Sequence, residues 1–154
     1  MKVIIQRVAE GGVYINKENY TAEISKGLVI LLGIKLNDNT SDAEFLADKC
    51  SSLRIFEDEN EKMNLSLKDI EGEVLIISQF TLYGDALKGN RPSFTDAARP
   101  ETAIPLYEKF IDRMKANLGD EKVKTGLFGA MMKVKIINDG PVTIIIESKN
   151  NKPK

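Results

Sequence analysis

Short apolar blocks of strand character open and close the chain, and two segments of helical spacing lie between them. Val3 to Val8 is rich in β-branched residues and runs into Gly11-Gly12, a turn signal, after which Val13-Tyr14-Ile15 resumes as a strand. Asn16 to Asn19 reads as a polar turn. Leu28 to Ile34 is a buried strand bounded by Gly27 and by Asn37-Asp38-Asn39. Thr40 to Leu53 has helical spacing, with Ala43, Leu46, Cys50 and Leu53 on one face and Ser41 and Glu44 placed for a capping box. The acidic run Glu57 to Glu61 lacks the glycine and ligand spacing of a calcium loop and reads as a solvated turn. Val74 to Tyr83 is the most hydrophobic strand candidate, and Gly84 to Arg99 follows as an irregular segment. A second helix runs from about Thr102 to Leu118 with Ala103, Leu106, Tyr107, Phe110 and Met114 inward, and Gly119 stops it. A start at Thr102 keeps Pro105 in the first turn, where its missing N–H costs nothing; a start at Pro100 would set it deeper. Met132 to Asn138 and Val142 to Glu147 are two final strands flanking a hairpin at Asp139-Gly140-Pro141. The sum is one α+β domain over residues 1–148, with a mixed or antiparallel, barrel-like sheet and two main helices, and a polar tail over 149–154.

Composition narrows the chemistry more than the fold. With 154 residues the chain buries about 70% of its unfolded surface and needs no staples. No apolar run reaches the ~18 residues of a membrane span. The first residues turn polar after three apolar ones, unlike a signal peptide, and there is one cysteine; a cytoplasmic, reducing setting is expected. The net charge of −1 argues against an indiscriminate nucleic-acid binder, so any RNA contact must come from a local basic patch. There is no histidine. That removes every Ser-His and Cys-His nucleophile pair and every histidine metal site, and no metal or cofactor is expected. Chemistry would have to come from Thr, Ser, Tyr, Lys, carboxylates, backbone groups or the substrate itself.

Two segments break the local pattern, which is where function is expected. Ser78-Gln79-Phe80-Thr81 ends an apolar strand with three polar side chains around one aromatic. It is either a strand end satisfying nearby loop backbone or a pocket wall offering hydroxyls, an amide and main-chain N–H groups. Asn138-Asp139-Gly140-Pro141-Val142-Thr143 is either a plain hairpin or a specialised backbone feature, since glycine reaches φ values closed to other residues.

These segments, with Lys88-Gly89-Asn90-Arg91-Pro92-Ser93-Phe94 between them, closely resemble the D-aminoacyl-tRNA deacylase (D-tyrosyl-tRNA deacylase) family. Ile5-Gln6-Arg7-Val8, Arg54-Ile55-Phe56 with Lys62-Met63-Asn64, and Phe128-Gly129-Ala130-Met131 resemble further family segments in the expected order, so the resemblance spans nearly the whole chain. Glu61 departs from it, standing where the family often has glycine, and the polar tail is longer than in many members.

The resemblance implies a hydrolase that cleaves the ester joining a D-amino acid to the 3′ end of tRNA. It implies a homodimer whose pocket takes Ser78, Gln79, Phe80 and Thr81 from one chain and Gly140 and Pro141 from the other, with a cis Gly-Pro bond. Backbone carbonyls would exclude an L side chain, so many D-amino acids and achiral glycine would be accepted. Phe128, Ala130 and Met131 would line the substrate site, with Phe80 or Phe128 stacked on the terminal adenine. Lys88 and Arg91 would meet phosphates, with Lys133 and Lys135 as further candidates. Thr81 would position or attack the ester, but no histidine is present to activate it. Two alternatives stay open: a non-catalytic nucleic-acid-binding module on the same fold, and a deacylase of relaxed chirality.

Overall fold

The computed structural model describes residues 1–148, and the expected polar tail lies outside the described residues. In chain order it holds β1 (Lys2–Ile15), β2 (Tyr20–Ile24), β3 (Gly27–Gly33), α1 (Thr40–Ser52), β4 (Phe56–Glu57), β5 (Met63–Leu65), β6 (Glu73–Ser78), a 3-10 turn (Phe80–Tyr83), α2 (Pro100–Leu118), β7 (Val123–Thr125) and β8 (Lys133–Glu147). A six-stranded sheet in the order β2-β1-β3-β6-β7 carries β8 on β1 as well. The β3–β6 and β6–β7 pairs are parallel and the rest antiparallel, so the sheet is mixed. It curves almost into a barrel. The Tyr20 hydroxyl donates to the Thr125 carbonyl at 2.8 Å and ties β2 to β7 across the seam.

Alternation along the strands divides the core between two faces. Leu28, Ile30 and Leu32 of β3 and Val74 and Ile76 of β6 meet the helices, together with Phe110 and Met114. Val29, Leu75 and Ile77 face the barrel interior with Val13 and Ile15. Cys50 is fully buried against the helix-side core, and burial pushes its thiol well above the ordinary range, so it is an unreactive packing residue as expected.

β1 and β8 are the longest strands, and both depart from the sequence reading. Gly11-Gly12 is not a turn: β1 runs straight through it. A Cβ at Gly11 would stand 2.8 Å from Cγ2 of Val29, so close packing disfavours a side chain there. Asp139-Gly140-Pro141 is not a hairpin either. β8 continues past it along the length of β1. The register shows why. Gln6 pairs with Thr143 and Val8 with Asn138, so the single residue Arg7 faces the four residues 139–142. Ala9 is then skipped on β1 between Val8 and Glu10. Such bulges invert the side-chain phase. Val3, Ile5, Ile144 and Ile146 pack on the helix side, whereas Val13, Ile15, Val134 and Ile136 pack inside the barrel. A local reading sees a glycine-proline break and infers a reversal; the partner strand, far away in sequence, keeps the chain extended.

Three boundaries also differ. The α1 cap is Asn39, not Ser41. Its side chain accepts from the Ser41 and Asp42 amides at 3.0 and 3.3 Å, and the Asp42 carboxylate accepts the Asn39 amide at 2.9 Å. α2 begins at Pro100, with Arg99 as N-cap and Pro105 inside the helix. Pro100 is suited to that first position. Pro105 is tolerated because it lies on the exposed face, where water can serve the carbonyl it leaves unbonded. β6 stops at Ser78, and the chain turns into the 3-10 turn instead of continuing as a strand to Tyr83. The acidic run is a turn as expected. Asp58 accepts the amides of Asn60 and Lys62, and Glu61 takes the left-handed conformation at φ 58°, a conformation that favours glycine.

Candidate functional site

The parallel strands β3 and β6 end side by side, and the segment 126–132 crosses in front of them, with the first turn of α2 on the far side. The space between is a cleft of about 340 Å³. Leu32, Ile34 and Ile77 line its floor, Ser78, Gln79 and Phe80 one wall, and Phe128, Gly129, Ala130 and Met131 the opposite wall; Ala98 and Ala103 close one end. Ser78, Gln79 and Phe80 therefore meet Phe128, Ala130 and Met131, expected site residues from two distant segments, at one place. Met131 stands at the open lip and is 92% exposed.

Each wall is held from behind. Phe128 packs edge-on against Tyr107 of α2 at 5.7 Å between ring centroids, and the Tyr107 hydroxyl donates to the Ile76 carbonyl at 3.2 Å. Burial raises the Tyr107 phenol above its ordinary range, so this hydroxyl stays a donor. Phe80 is 58% exposed and packs edge-on against Phe94 at 5.2 Å. Neither Tyr107 nor Phe94 stands out as a site residue in the sequence, because a helix face and an irregular segment both carry aromatics for ordinary packing.

At the strand end the Gln79 amide donates to the Leu32 carbonyl at 2.8 Å, so it is not available to a ligand. The amides of Phe80 and Thr81 open the 3-10 turn and have no carbonyl within the turn to bond. The Gln79 side-chain amide donates to the Thr81 hydroxyl oxygen. Thr81 is exposed and does not line the cleft.

Gly140 and Pro141 are not brought to this cleft in the same chain. Both are exposed at the bulge of β8, and the bond between them is cis. Their setting is tightly bonded. Gly140 has φ 140°, and a Cβ there would lie 2.8 Å from Val142 and 3.1 Å from Nη2 of Arg7. The Asn138 carboxamide oxygen accepts the Val142 amide at 2.8 Å. Arg7, only 8% exposed, donates through Nε to the Asp139 carbonyl and through Nη1 to the Ile55 carbonyl, each at 2.8 Å. In the sequence Arg7 stands only within a family segment; a lone arginine in an apolar strand is the signal available.

Lys88 and Arg91 are exposed on the irregular segment outside the cleft, and Lys135 is engaged by Glu10 at 2.8 Å. Among the described residues no three His, Cys, Asp or Glu side chains converge to hold a metal ion, and no helix is long and apolar enough to cross a membrane.

The family model for D-Tyr-tRNA(Tyr) deacylase matches residues 4–147. A D-aminoacyl-tRNA deacylase of Flavobacterium psychrophilum is 57% identical over 150 residues, covering 97% of this chain and 99% of the relative. One from Fusobacterium nucleatum is 53% identical, covering 97% of each. A solved structure described as the c-Myc DNA unwinding element binding protein superposes with a TM-score of 0.89 at 40% identity, covering 96% of this chain and 98% of the other. A match spanning both walls of the cleft and the β8 bulge leaves one assignment: this chain belongs to the D-Tyr-tRNA(Tyr) deacylase family.

Proposed function

We infer that this protein hydrolyses the ester between a D-amino acid and the 3′ end of tRNA, releasing both, in the cytoplasm. The observation that carries the reading is the joining of Ser78-Gln79-Phe80 and Phe128 to Met131 around one apolar cleft, in a chain that the family model matches from residue 4 to 147. Phe80 and Phe128 offer aromatic faces to the terminal adenine, a mode open to unpaired bases. The amide of Phe80 supplies a hydrogen-bond donor at the strand end for the charge that develops on the ester carbonyl, a contribution worth several kcal/mol in other acyl transfers, up to roughly 4. With no histidine in the chain, the neighbouring ribose hydroxyl provides the remaining proton chemistry and the protein provides geometry.

The active form is a homodimer in which Gly140 and Pro141 of one protomer enter the cleft of its partner. Their exposure at the bulge supports this, as do Ile137 and Ile145, exposed at 47% and 64% on the same strand. Backbone delivered in this way meets the side chain of an L-aminoacyl ester and leaves room for the D form. Selection is by collision, so glycyl-tRNA is a substrate too. Lys88 and Arg91 meet phosphates of the RNA.

The test is deacylation of D-Tyr-tRNA beside L-Tyr-tRNA and glycyl-tRNA. Turnover of the D and glycyl esters with none of the L ester is expected; equal hydrolysis of both enantiomers would remove the steric filter. Tight RNA binding without any turnover would instead favour a non-catalytic nucleic-acid-binding protein, a reading suggested by the DNA-element-binding description of the solved relative.

Thr81→Ala is expected to retain kcat within about threefold, because the hydroxyl lies outside the cleft, is bonded by Gln79 and has no base to activate it. Complete loss of turnover with fold and tRNA binding intact would make Thr81 the nucleophile.

A further inference from the structure

The irregular segment after the 3-10 turn contains a closed loop, Asp85 to Ser93. Asp85 and Ser93 exchange two backbone hydrogen bonds of 2.8 Å at its base. The Asp85 carboxylate also accepts the Leu87 amide at 2.9 Å, which shapes the ascending limb. The next residue after the base is Phe94, whose ring packs on Phe80 in the cleft wall, and further on Ala98 lines the cleft itself. Phe94 and Ala98, which follow the loop, therefore tie its base to the cleft wall.

What it displays is unusual for this molecule. Leu87 is 93% exposed. A single exposed leucine carries no meaning alone. Here it is followed by Lys88 and Arg91, and Arg99 emerges beside Ala98 at the start of α2. Among the described residues none of these three cations enters an ion pair. Of the acids nearby, Asp96 pairs with Lys35 at 3.6 Å, Asp85 accepts the Leu87 amide and keeps its charge, and Glu101 lies in the first turn of α2. Three cations against Asp85 and Glu101 leave this part of a chain of net charge −1 with a positive excess.

We propose that the Asp85–Ser93 loop, with Arg99, is a docking arm for the end of the tRNA acceptor stem, separable from the chemistry of the cleft. The proposal rests on the functional reading above and extends it from the terminal nucleoside to the RNA body. RNA whose 3′ nucleoside fills the cleft must leave past this loop. Lys88, Arg91 and Arg99 face successive phosphates, and Leu87 packs against the apolar face of a ribose or the terminal base pair, as apolar side chains do against nucleic-acid stacks. The arm supplies affinity and register and takes no part in bond breaking.

The test uses two substrates, D-tyrosyl-tRNA and the minimal ester D-tyrosyl-adenosine, with the intact protein, the Lys88→Ser/Arg91→Ser double variant and Leu87→Ser. For the double variant the KM for D-tyrosyl-tRNA should rise roughly tenfold or more, and the slope of log KM against log salt should fall by about 2, one unit for each phosphate that is no longer neutralised. Leu87→Ser should raise KM without altering that slope. In both variants the effect should be confined to the tRNA substrate. An unchanged KM for D-tyrosyl-tRNA in the double variant would overturn the arm, as would equal effects on both substrates, which would mean that the loop merely supports the cleft wall. Failure of the unaltered protein to cleave either ester would overturn the functional reading and the arm with it.

Discussion

Asp38→Ala is expected to lower folding stability by about 3–5 kcal/mol, the range for removing one partner of a buried ion pair. The Met1 ammonium lies 2.6 Å from one Asp38 carboxylate oxygen, and both groups are fully buried. The other carboxylate oxygen accepts the Lys35 amide at 2.6 Å. The same ammonium donates to the Ser148 hydroxyl at 3.1 Å, and the Met1 carbonyl accepts the Ser148 amide at 2.9 Å. The Asp38 carboxylate therefore joins the start of β1 to the turn after β3, and Met1 in turn holds Ser148 just beyond β8. Alanine would leave a buried ammonium and a half-buried amide without this acceptor. The cost is a large part of the ~5–15 kcal/mol that holds a domain of this size. The effect reaches the cleft, because Lys35 bridges to Ala97 and the Ile34 carbonyl accepts the Ala98 amide at 2.9 Å, anchoring the segment that carries one end of the cleft. Urea unfolding measures the change directly. A difference below about 1 kcal/mol would mean that the pair does not form in solution. Salt should alter the wild-type value little, since a buried pair is poorly screened.

Arg7→Ala should lower stability by about 2–3 kcal/mol, the cost of leaving a buried hydrogen-bonding group unsatisfied, and should lower deacylation of D-Tyr-tRNA by about a hundredfold. The guanidinium occupies the space opposite the four residues 139–142 and binds two carbonyls, Asp139 in the bulge and Ile55 beyond the end of α1. Its removal frees the backbone around Gly140 to move, and a displacement of about 1 Å at a reacting centre can cost a hundredfold in rate. The D-over-L preference should fall at the same time, because the proposed exclusion of the L side chain is made by this same backbone. Arg7→Lys keeps the charge but cannot reach both carbonyls from one planar group, so it should recover part of the stability and less of the activity. A variant that is less stable but keeps full rate and full preference below its melting range would show that Arg7 serves the fold alone.

Much of this molecule is legible in one dimension. The apolar run from Leu28 to Leu32, the helical spacing of Ala43, Leu46 and Cys50, and the stop at Gly119 follow from side-chain periodicity and glycine conformational freedom, which act over a few residues. One cleft wall, Ser78 to Phe80, stands out because polar residues interrupt an apolar run there; the other, Phe128 to Met131, carries no polar side chain and stands out only through the family resemblance. The cap at Asn39 in place of Ser41 is a difference of the same local kind, settled by which side chain meets the free amides.

Other features were decided by partners far along the chain. Gly11-Gly12 and Gly140-Pro141 carry the local marks of turns, yet both lie within strands because β1 and β8 pair with one another along their length. Hydrogen bonding between residues on opposite ends of the chain outweighs the local tendency to reverse, and no short window contains that information. The same holds for Thr81, turned out of the cleft by the 3-10 turn that starts one residue earlier, and for Arg7, whose two acceptors lie 48 and 132 residues away. Residue identities set the short-range geometry and the chemistry on offer; which of those groups meet was fixed by strand register and burial, which belong to the whole chain at once.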